Sequence, residues 1–178
     1  MGFFNFFREF INKFSEKTLF LTDKINKDNT FTWSNEDELS LSNLKHEILK
    51  EPVLKCYDPN KELTIETDAS QRAVAAIITQ ENHPIAYLSK KLTKAQSRWS
   101  NIEREAYGIY WAITKLRRVL LGRSFVVHTD HKRLIFIFAK YSSIPTRTSA
   151  RISRWALEIM PFDFANITTN YSVYNSHK

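Results

Sequence analysis

Between residues 63 and 80 the chain carries two short, β-branched stretches, LTIETDA and AVAAIIT, each halted by turn-forming residues. Apolar runs of this length between turn signals predict strands, here at 62–68 and 72–80 with a third at 84–89, joined by turns at ASQ and QENH as an antiparallel meander. The period then changes. From Trp99 to Leu121, the residues Ile102, Ala106, Ile109, Ile113, Leu116 and Leu120 recur at steps of four and three. That spacing lays one apolar stripe along a long helix, and Gly122 ends it. Residues 124–129 return to a strand pattern. A right-handed crossover sets this strand parallel to an earlier one, most economically the first. A last strand is expected over FDFANIT. Strands alternating with helices in this order predict an α/β fold with a mixed five-stranded sheet and flanking helices.

The first third reads differently. Phe3, Phe6, Phe7, Phe10 and Phe14 fall at helical spacing, a pattern of core-facing packing. NKDNTFTW is a turn-rich break. Ser40 or Ser42 is then expected to cap a helix that runs through Leu44, Ile48 and Leu49 and stops before Pro52. The YDPN turn leads into the first strand, so the boundary is set near 60: a small, mainly helical segment over 1–60 and the α/β unit over 61–178.

Composition narrows the class. With 43% hydrophobic and 13% aromatic residues, the 178-residue chain has material for a packed core. No apolar run is long enough to span a bilayer, and Arg8 and Glu9 interrupt the Phe-rich start, which excludes a signal peptide or membrane helix as the reading of that stretch. Phe6 stands where N-myristoylation requires Ser or Thr. An intracellular protein, cytoplasmic or nuclear, is expected rather than a secreted or membrane-bound one. Cys56 has no cysteine partner, and no Cys/His cluster marks a zinc site.

Charge is divided unevenly. Residues 1–87 hold 10 Lys/Arg against 14 Asp/Glu, whereas residues 88–154 hold 15 Lys/Arg and 3 acids, Glu103, Glu105 and Asp130. So lopsided a basic region suits a polyanion, and nucleic acid is the expected partner. The few acids within it therefore stand out. Asp68 and Asp130 each end a predicted strand in a Thr-Asp pair, and parallel neighbours would bring both to one rim of the sheet, where ligands of open α/β sheets gather. Helical phase puts Glu105 about 60° from the centre of the apolar stripe, on the sheet side, and Glu103 about 100° away on the other flank. Glu105 is thus the third carboxylate. Singly, each acid has a simpler role: Asp68 opening a turn, Asp130 capping the helix at HKRL, Glu105 pairing along its own helix. Together they predict an oxygen-only site for a hard cation, Mg2+ or Mn2+. Arg104, Tyr107, Trp111, Lys115 and Arg118 form an aromatic and basic strip, read as packing against the upstream segment rather than a base platform. His128 and His131 flank Asp130 and are read as hydrogen-bonded neighbours.

ETDASQ, HPIAYLSKKLTKAQSRWSNIEREAYGI, HTDHKRL and ARISRW resemble the RNase H region of gypsy-type LTR retrotransposon polyproteins. The upstream stretches GFFNFFREFINKFSEKTLFLTDKI and FTWSNEDELSLSNLKHEILKEPVL, together with CYDP, are similar to the segment connecting polymerase and RNase H in those proteins. The resemblance implies an RNase H-like fold preceded by a connection segment, and hydrolysis of the RNA strand of RNA–DNA hybrids with two divalent ions. Carried over by motif, Asp68 bridges the ions, Glu105 holds the one on the leaving side, and Asp130 ligates beside Asp68. Ser70 and Gln71 become candidates for contact with the hybrid, whose 2′-hydroxyls distinguish it from duplex DNA. The remainder of the polyprotein is the implied protein partner.

Departures from that pattern matter. The family's closing helix with a fourth carboxylate is not matched by FDFANITTNYSVYNSHK; Asp163 opens the last strand, and His177 is a poor magnesium ligand. The expectation is a domain truncated at its C-terminus, with impaired turnover or, as the alternative, a catalytically inactive nucleic-acid-binding remnant. Ala73 and Ala75 replace glycines after the first Asp. No Asp-Asp dipeptide occurs, so the chain has no polymerase motif. An integrase-like reading would need a late acid such as Glu158, and the position of Glu105 between the aspartates argues against it.

Overall fold

The computed structural model describes residues 8, 10–25, 32–49, 54–138 and 149–169. Phe3, Phe6, Phe7 and His177 lie outside them. Three helices come first, α1 (Phe14–Lys17), α2 (Leu19–Lys24) and α3 (Asn35–Leu49), followed by the strands β1 (Leu63–Ala69), β2 (Ala73–Gln80) and β3 (His83–Lys91). Next come α4 (Asn101–Lys115), α5 (Arg117–Leu120), β4 (Phe125–Thr129), α6 (Lys132–Phe138), α7 (Ala150–Ile159) and β5 (Phe164–Thr169). The sheet runs β3-β2-β1-β4-β5. The first three strands pair antiparallel and β4 lies parallel to β1, the mixed sheet with flanking helices that the periodicity predicts.

Local chemistry explains the turns. Glu81 and Asn82 take φ of 50° and 62° between β2 and β3, positive at both central positions as a tight hairpin following the strand twist demands. The β1–β2 turn needs no such residue. Ser70 closes it, its hydroxyl accepting from the amides of Arg72 (3.2 Å) and Ala73 (3.0 Å), so alanine at 73 is accommodated without glycine. Gly122, with φ of 74°, reverses the chain before β4.

Two helix expectations are corrected. α3 starts at Asn35 rather than after Ser40 or Ser42, because Ser34 and Asp37 form a reciprocal cap: the Ser34 hydroxyl and amide donate to the Asp37 carboxylate (2.7 Å each) and the Asp37 amide returns a bond to Ser34 Oγ (3.3 Å). The long helix is divided, with a 3₁₀ turn at Gln96–Arg98, α4 starting after Ser100, and a break at Leu116 before α5. Ser100 and Glu103 make a second capping box.

The main core lies between the sheet and α4, α6 and α7, where Ile65, Ile109, Ile113, Phe125, Val127 and Ile159 are fully buried. Each such side chain contributes about 1.5–3 kcal/mol over its exposed state. Trp99, Tyr107, Tyr110 and Trp155 tie α4 to α7, with Tyr110 and Trp155 stacked at 5.7 Å. Of the aromatic strip, Tyr107 is buried, but against Trp155 of α7 rather than under the upstream segment as expected, and Trp111 is only partly buried. A second, small cluster of Ile11, Phe14 and Leu44 lies in that segment.

The upstream segment docks on the β2–β3 edge. The Ser15 amide donates to Ser89 Oγ (3.0 Å), Arg8 donates to the Ser89 carbonyl (2.9 Å), and the Asp23 carboxylate takes Lys91 (2.5 Å) and Arg72.

Candidate active site

β1 and β4 pair in parallel up to Glu66 opposite His128, and Asp68 and Asp130, each two residues further on, line one cavity at the C-terminal rim. Alternation along β1 buries Leu63, Ile65, Thr67 and Ala69 and turns Asp68 to the other, solvent-facing side. Asp130 follows the last residue of β4 and is exposed in the same way. A cavity of about 270 Å³ opens over this rim, lined by Asp68, Asp130, Glu66, His128, Asn12 and Lys13 among others.

Glu105 approaches from the sheet's other side. It sits one turn into α4 and is 3% exposed. Its carboxyl is pushed up to about 8, first by burial and then by the negative charges of Asp130 and Asp68, against weaker opposing effects of Arg104 and the Ala69 backbone. Oε2 of Glu105 is buried without a hydrogen-bond partner. A buried carboxyl oxygen with no donor, facing two more carboxylates, is an arrangement that a divalent cation would satisfy and that apolar packing would not. The donor set, three carboxylates, suits Mg2+ or Mn2+.

The side chains do not form a finished cage. Among the described residues, no three Asp, Glu, His or Cys side chains are gathered closely enough to hold a metal ion. The carboxylate of Asp68 is instead engaged by the ammonium of Lys13, an ion pair the sequence reading did not foresee. The residue types and the unpartnered oxygen fit a cation, and side-chain movement at Asp68 is what full ligation would require.

Nearby groups are committed elsewhere. Glu103, the rejected flank acid, caps α4 through Ser100 and pairs with Arg151 at 2.8 Å. Glu158 accepts from the Tyr110 hydroxyl at 2.7 Å, which together with burial pushes that phenol up to about 12. The Ser70 hydroxyl serves the β1–β2 turn, while Gln71 is exposed at its tip. His131 departs from the expected hydrogen-bonded role: its amide donates to Thr129 Oγ1 at 3.3 Å, but its ring Nδ1 is buried without a hydrogen-bond partner. Asp163 is exposed just before β5, and its carbonyl accepts from the Phe125 amide at 3.3 Å.

Residues 58–162 match the RNase H-like domain found in reverse transcriptase. The retrovirus-related Pol polyprotein from transposon 412 of Drosophila melanogaster is 32% identical over 168 residues, covering 92% of this chain and 13% of that polyprotein. The transposon Tf2-3 polyprotein of Schizosaccharomyces pombe is 30% identical over 171 residues, with the same 92% and 13% coverage. The chain thus spans about an eighth of the length of these curated relatives, which are gypsy-type elements. In fold it is similar to the foamy viral protease-reverse transcriptase solved in complex with RNA/DNA hybrid, at a TM-score of 0.75 and 20% identity over 98% of this chain and 24% of that one. The same viral protein in complex with double-stranded DNA aligns at a TM-score of 0.71 and 22% identity, over 97% of this chain and 37% of that one. With its mixed sheet, its helical crossover and a match over most of its length, the chain belongs to the RNase H-like domains found in reverse transcriptase.

Proposed function

We propose that the chain is the nuclease module of a retrotransposon reverse transcriptase, hydrolysing the RNA strand of RNA–DNA hybrids with divalent cations. One observation carries the reading: Asp68 and Asp130 stand at the C-terminal ends of the adjacent parallel strands β1 and β4, while the buried carboxyl of Glu105, with one oxygen lacking a donor, feels both their charges. Asp68, Glu105 and Asp130 would hold two Mg2+ or Mn2+ ions. When bound, such ions supply activation of water and neutralisation of charge at the leaving oxygen. The protein's own part is to fix three carboxylates on rigid elements at one rim. Gln71, and less directly Ser70, stand beside the rim where a hybrid's sugar edge would pass. The basic stretch over 88–154 supplies attraction for the phosphate backbone.

The relatives are far longer polyproteins, so we read the chain as working within such a protein, in an intracellular compartment, with residues 1–60 as its connection segment. Among the described residues no helix is long and apolar enough to cross a membrane.

A second reading, a binding module without turnover, is favoured by the Lys13–Asp68 ion pair and by the ungathered carboxylates. A labelled RNA–DNA hybrid separates the two. The nuclease reading predicts Mg2+- or Mn2+-dependent cutting that Asp68→Asn abolishes; the binding reading predicts hybrid affinity unchanged by that substitution and no product with either ion.

A further inference from the structure

Lys13 stands at the start of α1 with φ of 52°, the left-handed region that a long side chain holds only when its surroundings impose it. The surroundings here are specific. Immediately after it Phe14 is fully buried and Ser15 is hydrogen-bonded to Ser89, while Arg8 on one side and Asp23 on the other fasten the segment to β3 and the β1–β2 turn. The turn at Lys13 is therefore pinned at both ends over the rim of the sheet, and its ammonium meets the Asp68 carboxylate.

Resting on the metal-site reading above, we propose that Lys13 is a built-in counter-ion for Asp68 that competes with divalent cations for the same carboxylate. The upstream segment thereby sets the affinity of the site. An ammonium on Asp68 neutralises part of the charge that a cation would use, and it repels any cation approaching the other two acids. Displacement remains feasible because the pair is half in water: the Lys13 side chain is 42% exposed and that of Asp68 52%. Pairs of this kind are weak, so a divalent ion supplied in excess overcomes the lysine at a several-fold loss of affinity. The contact is also absent from the sequence pattern of the sheet itself, because it depends on how a separate small core docks.

The test is calorimetric titration of Mn2+ into the full 178-residue chain near neutral pH and low ionic strength, comparing wild type with Lys13→Met, Asp23→Asn and Asp68→Asn. Removing the ammonium with Lys13→Met is expected to tighten Mn2+ binding by about three- to tenfold. Asp23→Asn loosens the docking and leaves Lys13 in place; it is expected to move affinity in the same direction by a smaller factor. Asp68→Asn should lose the site. If Lys13→Met binds Mn2+ no more tightly than wild type while Asp68→Asn still abolishes binding, the metal site stands and the role given to Lys13 is wrong. Where no variant binds Mn2+ in an Asp68-dependent way, the metal-site reading fails and this inference fails with it. Should Lys13→Met prove unfolded by circular dichroism, Asp23→Asn decides alone: tighter binding supports competition, unchanged binding overturns it.

Discussion

Asp37 and Glu105 are both carboxylates inside the protein, 7% and 3% exposed, and they are held in opposite ways. Asp37 receives Lys24 at 2.6 Å and both the hydroxyl and the amide of Ser34, and these donors hold its carboxyl down to about 2. Glu105 lies on the buried face of α4 beside two other acids, leaves one oxygen without a donor, and is pushed up to about 8. Burial alone does not decide how a carboxylate behaves; the supply of donors does. Asp37 is finished by its neighbours and serves the fold of α3. Glu105 is left unfinished, and an unsatisfied buried group kept in a core needs an explanation outside packing.

The comparison can be broken at several points. The largest effect is expected on cleavage: Asp68→Asn or Asp130→Asn should lower the rate of hybrid hydrolysis by roughly a hundredfold or more in a labelled-substrate assay, as loss of several kcal/mol of charge stabilisation requires. Next is the stability of the metal-free chain against pH. The folded Glu105 carboxyl is raised to about 8 from 4.5, so between those values the folded chain binds more protons than the unfolded one and stability declines as pH rises. Urea unfolding should show a loss on the order of a few kcal/mol across that window, which Glu105→Gln removes.

Asp37 should behave in the reverse sense. Its folded value is depressed from 3.8 to about 2, so its contribution is present above about 4 and is lost as pH falls through 2, visible as acid unfolding of the upstream helices by circular dichroism. Ser34→Ala, which removes a capping partner, should cost about 1 kcal/mol at neutral pH in the same measurement. The smallest effect belongs to Glu103. Its carboxylate is committed to Ser100 and Arg151, and Glu103→Gln is expected to leave the cleavage rate within about threefold of wild type, since a rim ion pair is worth under about 1 kcal/mol.

Much of the architecture was legible because it rests on local periods. Apolar runs bounded by turn signals locate β1 and β2, the four-three spacing from Ile102 to Ile113 locates α4, and the crossover rule lays β4 beside β1, which puts Asp68 and Asp130 at one rim. Helical phase alone separated Glu105 from Glu103, two residues apart and now seen respectively buried and bound in a cap. α3 starts before Ser40 and Ser42 because the Ser34-to-Asp37 spacing, itself present in the sequence, supplies a stronger cap. The break at Leu116 left no mark in a stripe that continues through Leu120. Lys13 was out of reach for a different reason. Its pairing with Asp68 follows from the docking of Ser15 and Asp23 on distant strands, and no local period encodes where a second core will settle.

The central claim is that Asp68, Glu105 and Asp130 share divalent ions. Its most direct test is a crystal structure of the chain grown with Mn2+, read by anomalous scattering. The account predicts manganese peaks at the rim, ligated by these three carboxylates, with the Lys13 ammonium withdrawn from Asp68. A well-occupied ion elsewhere, with Lys13 still on Asp68 and the Glu105 oxygen still unligated, would contradict it.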